Sequence, residues 1–266
     1  MFRLQKNGDI WYYTIDAFEK TGLVRHCFST RRGGVSSNEF ESMNLRFHCA
    51  DPAENVQENF RRICGAVGID SEKLVFSSQV HEDKIYIAKS GDCGNGIISP
   101  NPLESADGLM TAERGVPLVT FYADCVPLYF LDPVKKVIAL SHSGWKGTVK
   151  RIGAKTVAKM TEAYGSNPAD ILAAVGPSIG ECHFEVGQAV ADIFREEFGE
   201  EVIRDYDARP HVSLQKAVKK QLLAAGVPEK NITVADICTY CHHDLLFSHR
   251  QTGGKRGSLA ALMELI

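Results

Sequence analysis

A cysteine and a histidine on neighbouring predicted strands could together bind a transition metal. Cys125 lies in a run of β-branched and aromatic residues, 116 to 131, and His142 ends the next apolar run. Between the runs, Asp132-Pro133 predicts a turn, so that the two runs form a hairpin. Pairing about this turn places Cys125 roughly opposite residues 139 to 142, where its thiol could meet the imidazole of His142.

Further polar residues surround this pair in the sequence. Pro127 has no N–H to donate, so we expect a bulge or a strand end beside Cys125. His81 ends another predicted strand; a lone histidine there is more often a hydrogen-bonded structural residue, but here it would complete a set of three metal ligands. Asp124 precedes Cys125, and Asp107 is either a turn residue or a carboxylate close to the site.

Four basic side chains in glycine-containing loops are candidates for binding an anion. Arg31 and Arg32 precede Gly33-Gly34, although a surface turn is at least as good an interpretation of this segment. Lys146 lies in a predicted strand-to-helix turn whose N–H groups would suit a phosphate, but the spacing is not that of a P-loop. Arg250 lies in a basic, glycine-containing segment near the C-terminus.

The sequence has eight cysteines scattered over a long chain, which favours thiols or metal ligands rather than disulfides. Cys238 and Cys241 form a Cys-x-x-Cys motif. A structural zinc site needs about four ligands, and we find no second pair with the expected spacing. A thioredoxin-type motif would start a helix, whereas an aromatic and charged loop follows this one. We therefore interpret Cys238 and Cys241 as core or supporting cysteines.

Composition excludes some classes of protein. The chain has 266 residues, is 44% hydrophobic and carries a net charge of −3, so it can bury a large core but offers no basic field for nucleic acid. No stretch approaches the ~18 to 20 apolar residues of a membrane span. The N-terminus lacks the apolar core of a signal peptide, which predicts a cytoplasmic protein.

The predicted elements alternate irregularly, with hairpins early and helix-strand units later. No linker or repeat divides the chain, so we predict a single α/β domain over residues 1–266, with mixed sheets packed between helices rather than a doubly wound parallel sheet. The predicted strands cover 10–18, 24–30, 74–80, 84–88, 171–175 and 232–237, and the predicted helices start near 52 and 152 and cover 188–198 and 214–225.

Several motifs, in order along nearly the whole chain from Phe28, resemble the laccase-domain family. This family is unrelated to the multicopper laccases; it is also called the polyphenol oxidase or peptidoglycan-editing-factor family and has been assigned as purine nucleoside phosphorylases. The resemblance implies a layered α/β/β/α fold, similar to the catalytic domain of cytotoxic necrotizing factor. The motifs are Gln79-Val80-His81, Ala106-Asp107-Gly108, Ala123-Asp124-Cys125, His142-Ser143-Gly144-Trp145-Lys146-Gly147, Gly176-Pro177 with Cys182 and Glu185-Val186-Gly187, and Phe247-Ser248 with Arg250.

The resemblance also implies a metal and a reaction. One zinc, for which copper is a conceivable substitute, would be bound by His81, Cys125 and His142. The implied activities are phosphorolysis of adenosine, inosine and methylthioadenosine to base and (methylthio)ribose 1-phosphate, and deamination of adenosine. The sequence departs from the family in two places: Lys146 stands where arginine is usual, and His249 and Gln251 flank Arg250 where tyrosine and a second arginine are usual. Lysine cannot make the bidentate contact of arginine with phosphate.

The chemistry of these residues is consistent with that activity. Three protein ligands leave zinc an open position for an activated water or a substrate atom. Phosphorolysis also needs a held phosphate, for which the four basic candidates are available, and a proton donor to the leaving base. Asp124 or Asp107 could be that donor if protonated.

Other functions stay open at this point. Cys125 could be the nucleophile of a cysteine-dependent hydrolase, with His142 or His81 as its base. A peptidoglycan-precursor editing role is a further alternative. A copper polyphenol oxidase would need more copper sites than these three ligands furnish. The sequence leaves the preferred nucleoside and the oligomeric state undetermined.

Overall fold

The computed structural model of the protein describes residues 1–47, 49–95 and 105–266. The strands among them are Phe2–Asn7 (β1), Ile10–Ile15 (β2), Val24–Ser29 (β3), Ile85–Ile87 (β4), Gly108–Thr111 (β5), Leu118–Tyr122 (β6), Val126–Asp132 (β7), Val137–Ser143 (β8), Leu172–Val175 (β9), Ile203–Tyr206 (β10), Arg209–Val212 (β11), Ile232–Val234 (β12) and Leu259–Leu265 (β13). The α-helices are Asp16–Glu19 (α1), Ala53–Val67 (α2), Trp145–Val149 (α3), Ile152–Tyr164 (α4), Gln188–Phe198 (α5), Leu214–Ala224 (α6) and His249–Thr252 (α7).

The strands form two large sheets and one small one. The five-stranded sheet has the order β1-β2-β3-β13-β6, and the six-stranded sheet has the order β12-β9-β7-β8-β5-β4. Strands β10 and β11 form a separate hairpin. In the six-stranded sheet β4 pairs in parallel with β5, and β12 with β9, while the β5–β8, β7–β8 and β7–β9 pairs are antiparallel. This mixed sheet agrees with the predicted fold class.

The two large sheets pack face to face because their central strands are apolar on both faces. In β13, Leu259 and Met263 point into the core between the sheets, whereas Leu262 points to the opposite face. In β7, Tyr129 contacts the same inter-sheet core and Phe130 points away from it. The alternation follows from the two-residue repeat of a strand. Each sheet therefore has a second apolar face that a further layer must cover.

Helices provide these outer layers. Helix α2 packs Phe60 and Ile63 against the outer face of the five-stranded sheet. Helices α4, α5 and α6 cover the six-stranded sheet with side chains that include Val157, Phe194 and Leu222. The order of layers is helix, sheet, sheet, helix, which confirms the predicted α/β/β/α arrangement. In the described part of the chain, the helices are all too short or too polar to cross a bilayer.

The predicted hairpin about Asp132-Pro133 is confirmed by the antiparallel pairing of β7 with β8. The single strand predicted over 116–131 is wrong, because the chain leaves the five-stranded sheet after β6 and enters the six-stranded sheet at β7. Asp124 lies in this crossing with a φ of 88°, a left-handed conformation that aspartate tolerates better than most residues. Apolar residues resume directly after Asp124, so the pattern does not show that the two halves of the run belong to different sheets.

Other boundaries also differ from the predictions. Residues 10–18 form β2 followed by the short helix α1, and 74–80 contain an isolated bridge from Val75 to Leu118 instead of a strand. Strand β1 was not predicted; its sequence alternates apolar and polar side chains only partly, as an edge strand can. The predicted helix at 188–198 is confirmed, and the helix predicted over 214–225 ends one residue earlier, at Ala224.

Candidate functional site

His81, Cys125 and His142 meet where the two sheets adjoin. One ligand atom from each lies within 4.8 Å of the other two. The rings of His81 and His142 are nearly perpendicular, with centroids 4.9 Å apart. His142 comes from β8, Cys125 directly precedes β7, and His81 lies in a turn before β4 with a φ of 64°. Three separate segments thus bring together the ligands that the sequence predicts.

The register of the hairpin differs from the predicted one. Pro127 pairs with His142 and Val126 with Ser143, so that Cys125 lies beside Gly144 rather than opposite residues 139 to 142. The expected strand end beside Cys125 is present, because β7 begins at the next residue. A Cβ atom on Gly144 would lie 3.2 Å from the sulfur of Cys125 and 3.1 Å from His81 Cδ2. Glycine at this position leaves room for the three side chains to converge.

Asp107 positions two of the three candidate metal ligands, His81 and His142. Its buried carboxylate accepts backbone N–H bonds from Val80, His81 and Glu82 at 2.8 to 3.1 Å, which fixes the turn that carries His81. The same carboxylate lies 2.8 Å from Nδ1 of His142. This contact leaves Nε2 of His142 for a metal, the carboxylate–histidine arrangement common around bound zinc. Burial opposes the charge, but the bonds from His142 and the backbone lower the pKa of Asp107.

The pair of Cys125 and His142 is electrostatically coupled. Burial disfavours a thiolate, but His142 and His81 outweigh it and lower the pKa of Cys125 to about 6. Burial likewise disfavours a charged ring, but Cys125 and Asp107 raise the pKa of His142 to about 9. In the metal-free protein these groups therefore form a thiolate–imidazolium pair near neutral pH. A thiolate is also the form in which cysteine binds a metal.

Asp124, a predicted proton donor, is engaged in structural contacts. One carboxylate oxygen accepts a hydrogen bond of 2.6 Å from Thr239 Oγ1, and the other accepts one of 2.7 Å from the backbone N–H of Arg250. Its carbonyl accepts the N–H of Ile179 at 2.9 Å. These contacts fix the position of the segment that carries Cys125. Its neighbours Ala123 and Cys125 line the adjacent cavity, but Asp124 itself does not.

The cavity beside the three ligands has a volume of about 480 Å³. Aromatic rings form one part of its wall, and two arginines form another. Such a mixture of ring faces and a few charged groups is typical of sites for small organic ligands. The lining residues are Arg46, Phe47, Phe76, Ser77, Ser78, Gln79, His81, Phe121, Tyr122, Ala123, Cys125, His142, Arg256 and Ser258.

Arg256 is the more buried of the two cavity arginines. One of its terminal nitrogens donates to the carbonyl of Gly257 and to Ser258 Oγ. Its Nε atom is buried and has no hydrogen-bond partner among the residues that the structure describes. Burial and the neighbouring Arg46 lower the pKa of Arg256. An anion in the cavity would offset the repulsion between these two cations.

The predicted anion-binding residues lie elsewhere. Arg31 donates to the carbonyls of Glu41 and His243, and with Arg32 it lines a separate cavity of about 240 Å³. Lys146 is exposed, with Nζ 5.7 Å from the Trp145 ring centroid. Arg250 donates to two main-chain carbonyls, those of residues 183 and 185. None of these four side chains lines the cavity that contains His81, Cys125 and His142.

Sequence reasoning missed a second group of metal-ligating side chains. Cys182, His183, Cys238 and Cys241 offer four ligand atoms that all lie within 4.8 Å of one another. The sequence has no second pair with the expected spacing, but the fold brings the adjacent Cys182 and His183 to the Cys-x-x-Cys motif. The available signal was the adjacent Cys182-His183 pair, which follows a glycine-rich turn after β9 but lacks the spacing of known zinc motifs.

Comparisons with known proteins show the family of the chain. A family model described as multi-copper polyphenol oxidoreductase laccase matches residues 25–266, and the chain belongs to this laccase-like family. A relative named purine nucleoside phosphorylase YlmD, from Bacillus subtilis, is 35% identical over 240 residues, covering 89% of this chain and 86% of the relative. Another, named adenosine deaminase RL5, from an unknown prokaryotic organism, is 33% identical over 246 residues, covering 90% and 94%.

A solved structure confirms the fold. The crystal structure of the Bacillus licheniformis hypothetical protein YfiH superimposes with a TM-score of 0.92 at 32% identity, covering 99% of each chain. The family predicted from the motifs is thus confirmed by sequence and by structure. Relatives named for nucleoside phosphorolysis and for adenosine deamination place the chain in a family that processes nucleosides.

Proposed function

We propose that the chain, acting as one domain over residues 1–266, is a zinc-dependent purine nucleoside enzyme. It cleaves adenosine, inosine and methylthioadenosine with phosphate to give the base and (methylthio)ribose 1-phosphate, and it deaminates adenosine. The observation that carries the proposal is the convergence of His81, Cys125 and His142 on a cavity that combines aromatic rings with two arginines. The names of the relatives support the same chemistry.

The cavity suits a purine and its sugar. Its volume of about 480 Å³ is within the range usual for small-molecule sites. The rings of Phe76 and Phe121 line it and contact each other edge to face, with centroids 5.3 Å apart. Gln79 bonds to both the N–H and the carbonyl of Phe121 and so fixes that side of the wall. A purine base stacked on these rings would bring its ribose and reacting bond towards the metal ligands.

The donor set fits zinc better than copper. Two imidazoles and one thiolate suit zinc, and Asp107 fixes His142 in the tautomer that leaves Nε2 available. A zinc ion bound by three protein ligands supplies an open position at which water is activated or a substrate atom is polarised. Copper could occupy the same ligands as a substitute. Multi-copper oxidation would need further sites than these three side chains furnish.

Asp107 and the two cavity arginines have distinct tasks in this proposal. Asp107 stays a carboxylate, because its pKa is lowered, so it orients His142 instead of donating a proton to the base. Arg46 and Arg256 hold the attacking phosphate, because both line the cavity beside the candidate metal ligands. Guanidinium groups can grip phosphate in a bidentate manner that fixes its direction of attack.

Product analysis with adenosine tests the proposal. With phosphate, the purified protein should form adenine and ribose 1-phosphate, and without phosphate it should form inosine only. Methylthioadenosine and inosine should be cleaved in the phosphate-dependent reaction. Absence of phosphate-dependent cleavage of all three nucleosides would contradict the proposal, and turnover of peptidoglycan precursors in their place would favour the editing role.

A cysteine-dependent hydrolase is the second candidate, because the pKa of Cys125 is lowered to about 6. The two mechanisms respond differently to chelation. A metal enzyme loses turnover when a chelator removes zinc and regains it when zinc is restored. A hydrolase with Cys125 as nucleophile keeps its turnover in the chelator and loses it on alkylation.

A further inference from the structure

A cluster of three cysteines and one histidine lies away from the cavity, on two loops. Cys182 and His183 follow β9, and Cys238 and Cys241 follow β12. The sulfurs of Cys182 and Cys241 are 3.7 Å apart. Nδ1 of His183 lies 3.2 Å from the sulfur of Cys182, 3.4 Å from that of Cys241 and 4.0 Å from that of Cys238. Four potential ligand atoms thus surround a common centre.

Three of these four separations are close to those of a tetrahedral metal site. Two thiolates about 2.3 Å from a tetrahedral zinc ion lie about 3.8 Å apart, and a thiolate and an imidazole nitrogen lie about 3.5 Å apart. The distance of 3.7 Å between Cys182 and Cys241 agrees with the first value, and the distances of 3.2 and 3.4 Å from His183 to Cys182 and Cys241 agree with the second. The distance of 4.0 Å from His183 to Cys238 is longer, so Cys238 would have to move slightly towards the metal. A disulfide would bring two sulfurs to about 2.05 Å.

The surrounding residues support ligation. The backbone N–H of Gly180 donates to the sulfur of Cys238 at 3.2 Å, a contact that stabilises a negatively charged thiolate. The His183 ring stacks on Tyr240, with centroids 3.8 Å apart and an interplanar angle of 14°, which fixes the ring plane. Ser178 donates its N–H to the carbonyl of Ile237, and its own carbonyl accepts the N–H of the residue after Cys238. The two loops are therefore held in register by their own backbones.

We propose that Cys182, His183, Cys238 and Cys241 form a second, structural zinc site. Three thiolates and one imidazole are a ligand set of structural zinc sites, and four protein ligands leave no open position for a substrate. The site lies outside the proposed nucleoside chemistry and does not depend on it.

The proposed zinc joins the loop after β9 to the loop after β12, close to the segment that delivers Cys125. Thr239, between the two cysteines of the motif, donates to the carboxylate of Asp124. The Arg250 side chain donates to the carbonyl of His183, while its backbone N–H donates to Asp124. The site thereby supports the crossing between β6 and β7 from the outside.

Metal analysis of purified protein tests this site. The double variant Cys182→Ser/Cys241→Ser should contain about one zinc per chain less than the wild type, because one tetrahedral site is lost. The variant Cys125→Ala should keep this zinc, whatever the cavity ligands bind. Cys93→Ser is the matched control, since Cys93 belongs to neither cluster, and its metal content should equal that of the wild type.

Two further measurements keep the test decisive if the double variant folds poorly. In the Cys125→Ala background, cobalt substitution should give the intense thiolate-to-cobalt absorption of a tetrahedral sulfur-rich site. His183→Cys should retain the metal with four thiolates, whereas His183→Ala should bind it more weakly and unfold at a lower temperature. Unchanged zinc content in the double variant, or a disulfide among these cysteines in the protein as purified without added chelator, would overturn the proposal.

Discussion

The two groups of cysteine and histidine side chains use the same chemistry in opposite settings. His81, Cys125 and His142 are three ligands beside a cavity of about 480 Å³ that also contains two arginines. The other group, Cys182, His183, Cys238 and Cys241, supplies four ligands on surface loops. Three ligands leave a metal an open position, and four close it. Ligand count and the space alongside, rather than ligand type, separate a candidate reaction centre from a candidate structural site.

The two groups also differ in the charges that surround their cysteines. Cys125 faces two imidazoles, and against its burial they lower its pKa to about 6. Cys182 faces two other thiols, and burial together with Cys238 and Cys241 raises its pKa to about 12. The lowered pKa of Cys125 favours a thiolate beside the cavity, whereas the raised pKa of Cys182 keeps that thiol protonated near neutral pH unless a cation is close by.

Removing the cavity thiol should have the largest effect on activity. We expect Cys125→Ala to lower kcat/KM for both phosphorolysis and deamination by roughly 10³-fold, because a bound metal contributes several kcal/mol to the transition state. Steady-state kinetics and elemental analysis of the same preparation measure the effect. The proposed surface zinc should remain.

Cys93→Ser is the control for the loss of a cysteine as such, and its activity should match that of the wild type. If the metal content of Cys125→Ala equals that of the wild type, then His81, Cys125 and His142 do not bind the metal. Full activity in the same variant would remove Cys125 from the reaction.

In the metal-free protein, the cysteines of the two clusters should be alkylated in different pH ranges. Thiolate forms as the pH rises through the pKa, so Cys125 should react above about pH 6 and lose its reactivity below it. Cys182 should stay nearly inert at pH 7 although it is exposed, because its pKa is raised to about 12. Allowing for the lower nucleophilicity of an acidic thiol, we expect a rate difference of roughly a hundredfold at pH 7. Peptide mapping after a short iodoacetamide pulse measures both rates.

The variant His142→Gln is the control for the pH dependence of Cys125 alkylation. Without the imidazolium, the pKa of Cys125 should rise and its alkylation should move to higher pH, while the Cys182 profile stays where it was. Equal profiles for Cys125 and Cys182 in the wild type would refute the electrostatic contrast between the clusters.

Removal of a cavity arginine should affect one of the two proposed reactions. We expect Arg256→Ala to lower phosphorolysis roughly tenfold to a hundredfold, the effect of losing one charged hydrogen bond of ~1.5 to 3 kcal/mol. Deamination needs no phosphate and should fall much less, so the ratio of inosine to adenine should rise. Arg46→Ala, at an exposed position of the same cavity, should act in the same direction.

Lys146→Ala tests which residues bind phosphate: Lys146, as the sequence motifs predict, or the arginines that line the cavity. Its side chain lies outside the cavity lining, so we expect both products to stay near wild-type levels. A larger loss of phosphorolysis in Lys146→Ala than in Arg256→Ala would restore the sequence-based assignment. A parallel decline of both products in Arg256→Ala, with a lowered thermal midpoint, would indicate a structural role for Arg256.

The sequence predicts those features that local patterns encode. The β7–β8 hairpin follows from two apolar runs and Asp132-Pro133, and the helix at 188–198 follows from its periodicity. Pro127 predicts the strand end beside Cys125, but no local pattern predicts that the chain passes from one sheet to the other at Asp124. The arginines of the cavity also meet only through tertiary structure: Leu45 donates its N–H to the carbonyl of Ser258, which brings two distant segments side by side. No spacing rule predicts that neighbourhood.

The smallest predicted loss of activity tests whether the two clusters are structurally connected. Thr239 is buried, and its hydroxyl donates a 2.6 Å hydrogen bond to Asp124, whose neighbour is Cys125. Thr239→Val keeps the shape but removes the donor, so we expect the free energy of unfolding to fall by ~1.5 to 3 kcal/mol, the usual cost of a hydrogen bond to a charged group. A slightly displaced Cys125 should lower kcat roughly three- to tenfold.

The metal content of Thr239→Val shows whether its loss of activity comes from a displaced Cys125 or from a lost metal. The hydroxyl of Thr239 belongs to neither ligand set, so both proposed zinc ions should be retained and the loss should appear in kcat and in the thermal midpoint. A lowered midpoint with unchanged kcat would mean that the 238–241 turn stabilises the fold without positioning Cys125. Loss of the cavity metal would mean that Asp124 controls ligation itself. The hydrogen bond between Thr239 and Asp124 directly joins the 238–241 turn to the residue before Cys125, so it is a connection by which the proposed surface site could position the proposed cavity site.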